Sequence, residues 1–597
     1  MKKLILVIML LTLFNSSYVL GVIHYVSKVG SDEYPYTSWA TAARIIQNGI
    51  NASSYGDTVR VGAGSYREVL TLIPGIALLG AGMDSCALDP WGILGEGGTM
   101  IKGADSSVIE GFHLSGRFPQ FNCYGIVSDS LSGRSLKRIS NNKITNFWEG
   151  VMLAGRVNTE ISNNIFEDNY SGIRPIFRAR GLIISNTFTN HSNMAAMWAA
   201  GGPTIRKNVI INTTYEVISG DFTDSMFFEN NLVVVGKYYG VSFVSYGGFK
   251  NAPIRNNTII GDTTSIGGEH TMVVYVNGFS NEITNNILSN GYYAIWAYGK
   301  DGYYCNPQVS YNDLWDNVIN YTASGPASID TSLGGNIYLD PMFVGGDDYY
   351  LQYASSCIDA GDPNIKDPDS SRSDIGCYGG AYGETYPYLD YPPKPPDSLS
   401  AVSESTVTIL FWKPNTESDL SHYLVYKDTI AGFIPDTFKI VGNIPKDSSV
   451  FRDYDFVLGK TYYYRVSAWD LTGHQSEYSD ELEVQATSVG EYVEEENHPP
   501  MYQLSQNYPN PFNSETMIWY YLPDVGYQPA EVEITIYNLL GKRVKSLVNG
   551  REYPGEHKVR WDGKDDSGKE VVTGIYFYRL KVSGLELIKP KKMVLLK

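Results

Sequence analysis

An asparagine recurs at near-constant intervals through the first half of this chain. The steps between successive positions are 22, 22, 22, 23, 26, 29 and 26 residues. A period in the low twenties indicates one supersecondary unit per repeat, stacked so that neighbours bury what a single unit cannot bury alone. The sequence therefore predicts a solenoid over this region. The repeating residues are Asn142, Asn164, Asn186, Asn208, Asn231, Asn257, Asn286 and Asn312.

Each of these asparagines lies between two apolar positions, three residues before it and two residues after it. The neighbouring residues alternate with period two and are rich in β-branched side chains, as in ISNNKITN and IRNNTIIGD, which favours strands. Leucine-rich repeats share the period, but they need several leucines per unit and a longer helical stretch. Three short strands per turn fit 22 residues, so the pattern predicts a parallel β-helix. The earlier apolar set is Ile139, Ile161, Ile183, Ile205, Phe228, Ile254, Ile283 and Val309, and the later set is Ile144, Phe166, Phe188, Ile210, Val233, Ile259, Leu288 and Leu314.

The asparagines themselves have two interpretations. Coils of a β-helix advance by about 4.8 Å, so identical side chains come into register, and each amide can donate to one neighbouring coil and accept from the other. This structural ladder is the first interpretation, and it predicts that Asn186→Leu lowers stability by about 1–3 kcal/mol. The alternative is a row of ligand-binding amides.

The residues on either side of the repeats resemble a known superfamily. Upstream, an amphipathic helix with Ile45, Ile46 and Ile50 on one face precedes the motif GDTV, and then Glu68. Downstream, DPMFVGGDDYYLQYASSCIDAGDP is followed by DIGCYGG. These segments resemble right-handed β-helices of the pectin-lyase-like superfamily, in which the helix caps the open end of the core. The resemblance covers residues 22–385 and implies the fold, but not an activity.

The N-terminus has the pattern of a secretory signal peptide over residues 1–21. Lys2 and Lys3 precede an apolar run over residues 4–14, and Val19 and Gly21 suit a cleavage site before Val22. The apolar run is too short to span a bilayer comfortably, and no later segment approaches 18 apolar residues. We expect a secreted protein, extracellular or attached to the outer cell surface, with no transmembrane segment in the mature chain.

The charge balance bears on the choice of partner. The net charge is −18, from 46 Lys and Arg against 64 Asp and Glu. Binding to a nucleic-acid backbone needs clustered positive charge, so we expect no nucleic-acid partner. The 46 tyrosines and 10 tryptophans favour extracellular polysaccharide instead, because exposed aromatic rings stack on sugar faces.

Five cysteines do not form a disulfide framework for a chain of this length. Cys357 and Cys377 bracket a 19-residue loop, and export would permit a bridge between them that adds roughly 3 kcal/mol. Two alternatives remain: a disulfide between Cys357 and Cys377, or two free thiols. We expect Cys86, Cys123 and Cys305 to be buried thiols.

Two further modules follow the solenoid. Residues 386–396 are rich in proline and read as a linker. Residues 397–487 alternate in short runs, as a β-sandwich does, with Trp412 in an early strand and Leu458 and Tyr464 in LGKTYYYRVSAWD. This spacing resembles fibronectin type III domains, in which a leucine and a tyrosine form a corner. A generic immunoglobulin-like sandwich is the alternative.

An acidic linker over residues 488–500 leads to the last module, residues 501–597. NYPNPFN is followed by Gly541, by WDG from Trp561, and by Gly568, Gly574 and Tyr576. This pattern is similar to the C-terminal sorting domain of type IX secretion substrates. The resemblance implies an immunoglobulin-like domain that is recognised by that secretion machinery and then removed. The chain as a whole is thus predicted to be all-β, a right-handed parallel β-helix followed by two β-sandwich domains.

One strand per repeat indicates a binding face. With Val151, Ile173, Val217, Val241, Val273 and Ile295 taken as inward, alternation sends Met152, Arg174, Ser242 and Trp296 outward, with Trp198 and Tyr298 two residues further on. Longer loops lie beside this face at residues 246–252, 262–270 and 299–307. The predicted substrate-binding residues are Trp198, Trp296, Tyr298 and Tyr246. The alternative is that the loops cover these rings as a second small core.

Catalysis has weaker support. A polysaccharide lyase needs a base and carboxylates that bind calcium, and Arg174, Glu149, Glu216 and Asp221 are the candidates on this face. Glu149 and Arg174 lie on adjacent coils and can equally form a surface ion pair. The cluster Asp359, Asp362, Asp367, Asp369 and Asp374 would suit calcium or simply cap the solenoid. The leading hypothesis is a surface protein that binds polysaccharide; the alternatives are a polysaccharide lyase or glycoside hydrolase, and a structural adhesin that contacts protein.

Overall fold

A computed structural model gives the architecture. It describes residues 21–90, 92–117, 122–176, 179–191, 197–198, 202–213, 216–219, 226–235, 239–244, 252–261, 272–277, 281–299, 305–345, 348–404, 407–485, 503–504, 507, 512–513, 515–522, 529–538, 542–582 and 591–596. The chain divides into two compact units, residues 1–341 with 357–387, and residues 342–356 with 388–597. The expected signal segment, apart from Gly21, and the acidic linker lie outside the described residues.

The first unit is a solenoid of three parallel sheets. Within the described residues, sheet 1 has 12 strands, sheet 2 has 10 and sheet 3 has 11, and each coil of the chain contributes one strand to each sheet in turn. Sheet 1 comprises Ile23–Val26, Thr58–Val61, Ala77–Leu79, Val108–Glu110, Arg138–Ser140, Asn158–Ser162, Arg180–Ile184, Thr204–Arg206, Phe227–Glu229, Ile254–Arg255, Glu282–Thr284 and Gln308–Ser310. Sheet 2 comprises Gly64–Tyr66, Cys86–Leu88, His113–Ser115, Lys143–Thr145, Ile165–Glu167, Thr187–Thr189, Val209–Thr213, Leu232–Val235, Thr258–Ile260 and Ile287–Ser289. Sheet 3 comprises Leu70–Thr71, Thr99–Lys102, Tyr124–Asp129, Glu149–Ala154, Ser171–Ile176, Met197–Trp198, Glu216–Ser219, Tyr239–Val244, Met272–Asn277, Tyr293–Tyr298 and Ile319–Ser324.

The core of the solenoid is built from stacked apolar columns. Every member of the two apolar sets that flank the asparagines is at most 1% exposed. Members of one set face each other on successive strands, as in the pairing of Ile161 with Ile183 in sheet 1 and of Phe166 with Phe188 in sheet 2. The rings of Phe166 and Phe188 are parallel within 4°, with centroids 4.8 Å apart. The predicted parallel β-helix is confirmed.

The repeating asparagines lie in the bend between sheets 1 and 2. Asn186 is typical: its side-chain oxygen accepts from the backbone nitrogen of Asn164 at 2.9 Å, and its side-chain nitrogen donates to the carbonyl oxygen of Ile161 at 2.9 Å. The same side-chain nitrogen lies 3.1 Å from the side-chain oxygen of Asn208. All eight asparagines are buried. The row continues to Asn336, whose side-chain oxygen accepts from the backbone nitrogen of Asn312 at 2.9 Å.

A short helix, Ile46–Ala52, closes the first coil. Ile46 and Ile50 are buried, but Ile45 is 47% exposed and is the residue before the helix, so its expected place on the apolar face is wrong. The carboxylate of Glu68 accepts from the backbone nitrogens of Ile46 and Gln47, at 2.8 and 3.0 Å. Glu68 thus satisfies two of the free N–H groups at the helix N-terminus. A 3-10 turn, Ser130–Ser132, follows one strand of sheet 3.

Residues 357–384, which we call the return segment, run back along the outside of the bend between sheets 1 and 2. The side-chain nitrogen of Asn230 donates to the carbonyl oxygens of Cys377 and Gly379, at 3.0 and 2.6 Å. Further along, the guanidinium of Arg206 lies 3.3 Å from the ring centre of Tyr382. The end of the solenoid is therefore covered along its side by its own chain.

Cys357 and Cys377 lie in this segment as separate, buried thiols, so the alternative without a bridge is the one the structure contains. The sulfur of Cys357 instead donates to the Oδ2 oxygen of Asp313 at 3.2 Å. Burial raises the pKa of Asp313 to about 8, although the hydrogen bonds from Cys357 and the backbone of Leu339 act in the opposite direction. Cys86, Cys123 and Cys305 are buried thiols, as expected.

The second unit contains two sandwiches with the same division into three and four strands. In the first, Asp397–Glu404, Val407–Lys413 and Val450–Asp453 form one sheet, and Ile440–Pro445, Leu420–Asp428, Thr461–Asp470 and Leu482–Gln485 form the other. In the second, Gln503–Leu504, Thr516–Leu522 and Gly555–Trp561 face Arg543–Glu552, Ala530–Asn538, Gly574–Val582 and Lys591–Leu595. A 3-10 turn, Thr437–Lys439, and a hairpin, Phe343–Gly345 with Asp348–Leu351, complete the unit.

The first sandwich has the expected tyrosine corner, with different residues. The hydroxyl of Tyr462 accepts from the backbone nitrogen of Val457 at 2.9 Å, five residues upstream, which is the contact that defines such a corner. Phe456 packs against the core of this sandwich, whereas Leu458 is 49% exposed. The predicted pair Leu458 and Tyr464 is therefore wrong, and Phe456 with Tyr462 takes its place.

Candidate functional site

The outer face of sheet 3 is a set of columns in which side chains from successive coils stand above one another. In one column Met152 pairs with Arg174, and further along Ser242 pairs with Tyr275 and Tyr275 with Trp296. In a parallel column Tyr124 pairs with Glu149 and Glu149 with Ser171, and further along Met272 pairs with Tyr293. Charged residues thus lie towards one end of the face and aromatic residues towards the other.

The inward column of sheet 3 differs from the prediction in the coil of Val273. Val151 pairs with Ile173, Val241 with Val274 and Val274 with Ile295, so Val274 replaces Val273. The side chain of Val217 lies outside the described residues. Val273 and Val274 are both fully buried, because two consecutive residues face the core where the chain bends into sheet 3. This extra inward residue places Tyr275 on the outer face, where simple alternation from Val273 did not.

Trp296 is the centre of an aromatic cluster on this face. Its ring centre lies 6.0 Å from that of Tyr275, at 90°, and 5.1 Å from that of Tyr293, at 53°. Its indole nitrogen donates to the hydroxyl of Ser324 at 2.7 Å. Trp296, Tyr275, Tyr293 and the predicted Tyr298 are all half-buried, so each ring combines packing with an accessible surface. Edge-to-face contacts of this kind hold aromatic rings in fixed orientations.

At the other end of the face, Glu149 and Arg174 form an ion pair between Oε1 and Nη1. The side chain of Glu149 is 1% exposed and that of Arg174 is 40% exposed. The ion pair that was the alternative to catalysis is present, with its carboxylate buried and its guanidinium partly exposed. Burial raises the pKa of Glu149, and the hydrogen bond and charge of Arg174 offset part of that rise.

Two polar atoms near this pair have no hydrogen-bond partner among the described residues: Oε2 of Glu149 and the hydroxyl of Ser171. Glu149 and Ser171 face each other on adjacent strands. A carboxyl group with a raised pKa next to a guanidinium and a hydroxyl is a combination that acid–base chemistry uses, and structural ion pairs also produce it. The arrangement keeps Glu149 and Arg174 as candidates.

The remaining predicted site residues are only partly described. The backbones of Trp198 and Glu216 lie in sheet 3, but their side chains lie outside the described residues, as do Asp221 and Tyr246. The structure brings Glu149 and Arg174 together and places Trp296 and Tyr298 on the same face. Sequence reasoning missed Tyr275 and Tyr293, which the bend into sheet 3 puts there.

The acidic residues of the return segment bind backbone groups of their own chain. Oδ1 of Asp374 accepts from the backbone nitrogen of Asp359 at 2.8 Å, and the carboxylate of Asp367 accepts from the backbone nitrogens of Asp374 and Gly380, at 3.0 and 2.5 Å. Burial raises the pKa of Asp367 to about 6. The carboxylates of Asp374 and Asp367 thus accept from backbone N–H groups in turns, as the capping interpretation expects.

Within the described part of the chain, one group of three side chains could hold a metal ion: Asp390, which precedes the first sandwich, and Asp470 and His474 within it. Nδ1 of His474 lies 3.1 Å from Oδ2 of Asp470 and 3.5 Å from Oδ2 of Asp390. Oδ1 of Asp470 already accepts from the backbone nitrogens of Thr472, Gly473 and His474, at 2.9, 2.7 and 2.8 Å. A histidine-capped turn accounts for the same contacts.

Among the helices of the described residues, none has the length and apolar character that a membrane span requires.

Comparison with known proteins supports the fold of the solenoid. A family model described as "Right handed beta helix region" matches residues 124–314, and one described as "FlgD Ig-like domain" matches residues 526–585. No curated protein matches the chain.

Similar solved structures include the Clostridium perfringens spore cortex lytic enzyme SleM, which is 24% identical over 16% of this chain and 28% of that one, with a TM-score of 0.14. An Fn3-like protein from Clostridium thermocellum is 25% identical over 17% of this chain and 99% of its own, with a TM-score of 0.15. Dimeric latent PorU from Porphyromonas gingivalis is 15% identical over 35% of this chain and 19% of its own, with a TM-score of 0.16. Such low TM-scores carry no argument about function. Together with the parallel sheets, the family match identifies residues 124–314 as a right-handed β-helix region.

Proposed function

We propose that this chain is a secreted or cell-surface protein whose solenoid binds extracellular polysaccharide along the outer face of sheet 3. The cluster of Trp296 with Tyr275 and Tyr293 is the observation that carries the proposal. Rings that are half-buried and fixed by their neighbours offer a flat apolar surface with little side-chain freedom left to lose on binding. The rings come from two neighbouring coils and so extend along the solenoid, which suits a polymer better than a small ligand.

We expect Trp296→Ala to abolish retention on affinity gels that contain, in turn, polygalacturonate, xylan and β-glucan. The indole provides the largest ring of the cluster, and its hydrogen bond to Ser324 fixes its orientation. Because the side chain is only half-buried, the loss of stability should stay near 1 kcal/mol, well below the 3–5 kcal/mol of a tryptophan removed from a full core.

Trp39→Ala is the matched control. Trp39 is 47% exposed and lies in the first coil, far along the sequence from the cluster of Trp296. That variant should bind like the wild-type protein. Trp296→Ala could instead lower the free energy of unfolding by several kilocalories per mole and still bind every polymer that the wild type binds. In that case the cluster is a structural core and the proposal is wrong.

An enzyme is the second candidate, a polysaccharide lyase or glycoside hydrolase of pectin-lyase-like fold. The buried Glu149 next to Arg174 favours it, because a carboxyl with a raised pKa keeps its proton to higher pH and can act as a general acid. Release of unsaturated uronate from polygalacturonate, measured with and without calcium, would support this candidate. A structural adhesin that contacts protein is the third, and protein capture without polysaccharide retention would favour it.

The C-terminal sandwich has a proposed role in export. Its resemblance to type IX sorting domains rests on matching residues that lie in its core: Trp561 is fully buried, and Phe512 and Tyr576 pack within 5.5 Å of its ring centre. The machinery of type IX secretion is the partner that this resemblance implies, and the mature protein would be extracellular or attached to the outer surface.

In a bacterium with type IX secretion, we expect the full chain to appear outside the cell without residues 501–597. A chain truncated after residue 500 should remain in the periplasm, because the recognition domain is missing. Mass spectrometry of the culture medium and the periplasm measures both outcomes. Export of the truncated chain at the level of the full one would contradict the sorting role.

A further inference from the structure

The solenoid begins at Val22. The backbone nitrogen of Val22 donates to Oδ1 of Asp57 at 2.6 Å, and its carbonyl oxygen accepts from the backbone nitrogen of Thr58 at 2.9 Å. The first strand of sheet 1 starts at the next residue, Ile23. From Val22 onward the backbone is therefore held by the second coil of the solenoid.

Asp57 is a buried carboxylate, with 8% of the residue exposed. Its second oxygen accepts from the backbone nitrogen of Ser54 at 2.7 Å and lies 3.4 Å from Nε2 of His24. Burial alone would raise the pKa of Asp57, but the hydrogen bonds from Ser54, Val22 and His24 outweigh it and hold the pKa below its usual value. Asp57 is thus a buried negative charge in direct contact with the nitrogen of Val22.

The residue before Val22 has room only for glycine. A β-carbon on Gly21 would lie 1.8 Å from the carbonyl oxygen of Gly56, far inside van der Waals contact. Gly21 itself is exposed, so the residue before the Gly21–Val22 bond lies at the surface of the solenoid. The pattern of Val19 and Gly21 after the apolar run at residues 4–14 places signal-peptide cleavage at this same bond.

We propose that the Gly21–Val22 bond is a processing site and that Asp57 is the binding site for the α-ammonium group which cleavage creates on Val22. In the hydrolysis, the oxygen of water adds to the carbonyl carbon of Gly21 and the C–N bond breaks. The nitrogen of Val22 takes one proton from that water and, at neutral pH, a second from solvent, and residues 1–21 leave with the new carboxylate. A signal peptidase supplies the catalyst, and water is the only co-reactant.

Cleavage then changes the donor from a neutral amide to an ammonium group, so that both partners of the hydrogen bond carry a charge. The added Coulomb attraction strengthens the contact, and burial of Asp57 limits screening by salt. Removal of the leader would therefore lock the first strand of sheet 1 against the second coil. The inference concerns maturation and does not depend on what sheet 3 binds.

The ion pair has a defined pH dependence. An α-amino group titrates near pH 7.7–8.0 in an unfolded chain, and pairing with Asp57 raises its pKa in the folded state. The stability it contributes is thus fully present below about pH 7.7 and is lost as pH rises through the folded pKa. The contribution of Asp57 itself is lost in acid, as pH falls through a folded pKa below 3.8.

The test compares three forms of the protein that differ only at the N-terminus: residues 22–597 with a free amine, the same chain acetylated on Val22, and residues 20–597. The last form keeps Leu20 and Gly21, so the steric fit of Gly21 is unchanged. At pH 7 the free-amine form should melt about 1–3 °C higher than the other two, and at pH 10.5 the difference should disappear. Competitive labelling should show the pKa of the Val22 amine above that of a free peptide.

Asp57→Asn should remove the difference between the three forms, while Asp84→Asn, at an exposed carboxylate, should keep it. If Asp57→Asn does not fold, the melting temperatures of the free-amine, acetylated and extended forms still test the proposal. Mass spectrometry of the exported full-length chain should find Val22 as its first residue. A different first residue in the exported chain overturns the proposal. The proposal is also overturned if the pKa of the Val22 amine equals that of a free peptide and acetylation does not change the melting temperature.

Discussion

Replacing Asn186 with leucine is expected to lower the free energy of unfolding of the solenoid by about 1–3 kcal/mol. The substitution keeps the volume but removes the acceptor of the Asn164 backbone N–H and one donor to the carbonyl oxygen of Ile161. Both groups lie where water does not reach, because Asn186 is 1% exposed and Asn164 is also buried. A buried polar group left without a partner costs about 1–3 kcal/mol.

Urea unfolding of the full chain, followed by a signal specific to the solenoid, measures this loss. Asn158→Leu is the matched control, because Asn158 is exposed on a neighbouring strand of sheet 1 and its replacement should change stability by no more than about 0.5 kcal/mol. Equal midpoints for Asn186→Leu and the wild type would show that the ladder is dispensable.

The ladder also shows how far the sequence alone could be used. Asparagine at a fixed bend, with one apolar residue on each side, repeats in chemistry as well as in spacing, so the position of Asn186 and the burial of Phe188 could both be predicted from the pattern. Asn336 follows Asn312 by 24 residues and was missed, although Leu333 stands three residues before it and Tyr338 two residues after it, so the same pattern could have found it. A repeat is recognised by its neighbours, and the last one has a neighbour on one side only.

The outer face of sheet 3 was harder to predict because alternation assumes a straight strand. Val273 and Val274 both face the core at the bend, so counting by two from Val273 puts Tyr275 on the wrong side. The three tyrosines at 462–464 pose the same problem: only the hydrogen bond to Val457 shows which of them forms the corner. Bends and corners are decided by backbone contacts between distant residues, which the local sequence pattern does not contain.

Arg174→Ala is expected to destabilise the solenoid by about 2–4 kcal/mol at pH 7, with a smaller loss in acid. The change removes the cation that faces Glu149, whose side chain is 1% exposed, and breaking a pair that is buried on one side leaves that charge without compensation. The partial exposure of Arg174 places the estimate below that for a fully buried pair.

The sign of the pH dependence follows from Glu149. Its pKa is raised above the ordinary 4.5 in the folded state, so between these two values the folded protein binds more protons than the unfolded one and stability falls as pH rises. Without Arg174 the folded pKa of Glu149 should rise further, and the same decline should extend to higher pH. Thermal unfolding at half-unit steps from pH 4.5 to 8 measures the effect.

Adding Glu149→Gln to Arg174→Ala should restore most of the loss at pH 7, since the uncompensated charge is gone, and it should flatten the pH profile. Arg156→Ala is the control, at an exposed arginine near the end of the same coil of sheet 3. If Arg174→Ala has the stability of the wild type at every pH, Glu149 does not need its partner for folding. Loss of uronate release in such a stable variant would then favour the enzyme over the binding protein, because the pair would be retained for chemistry rather than for structure.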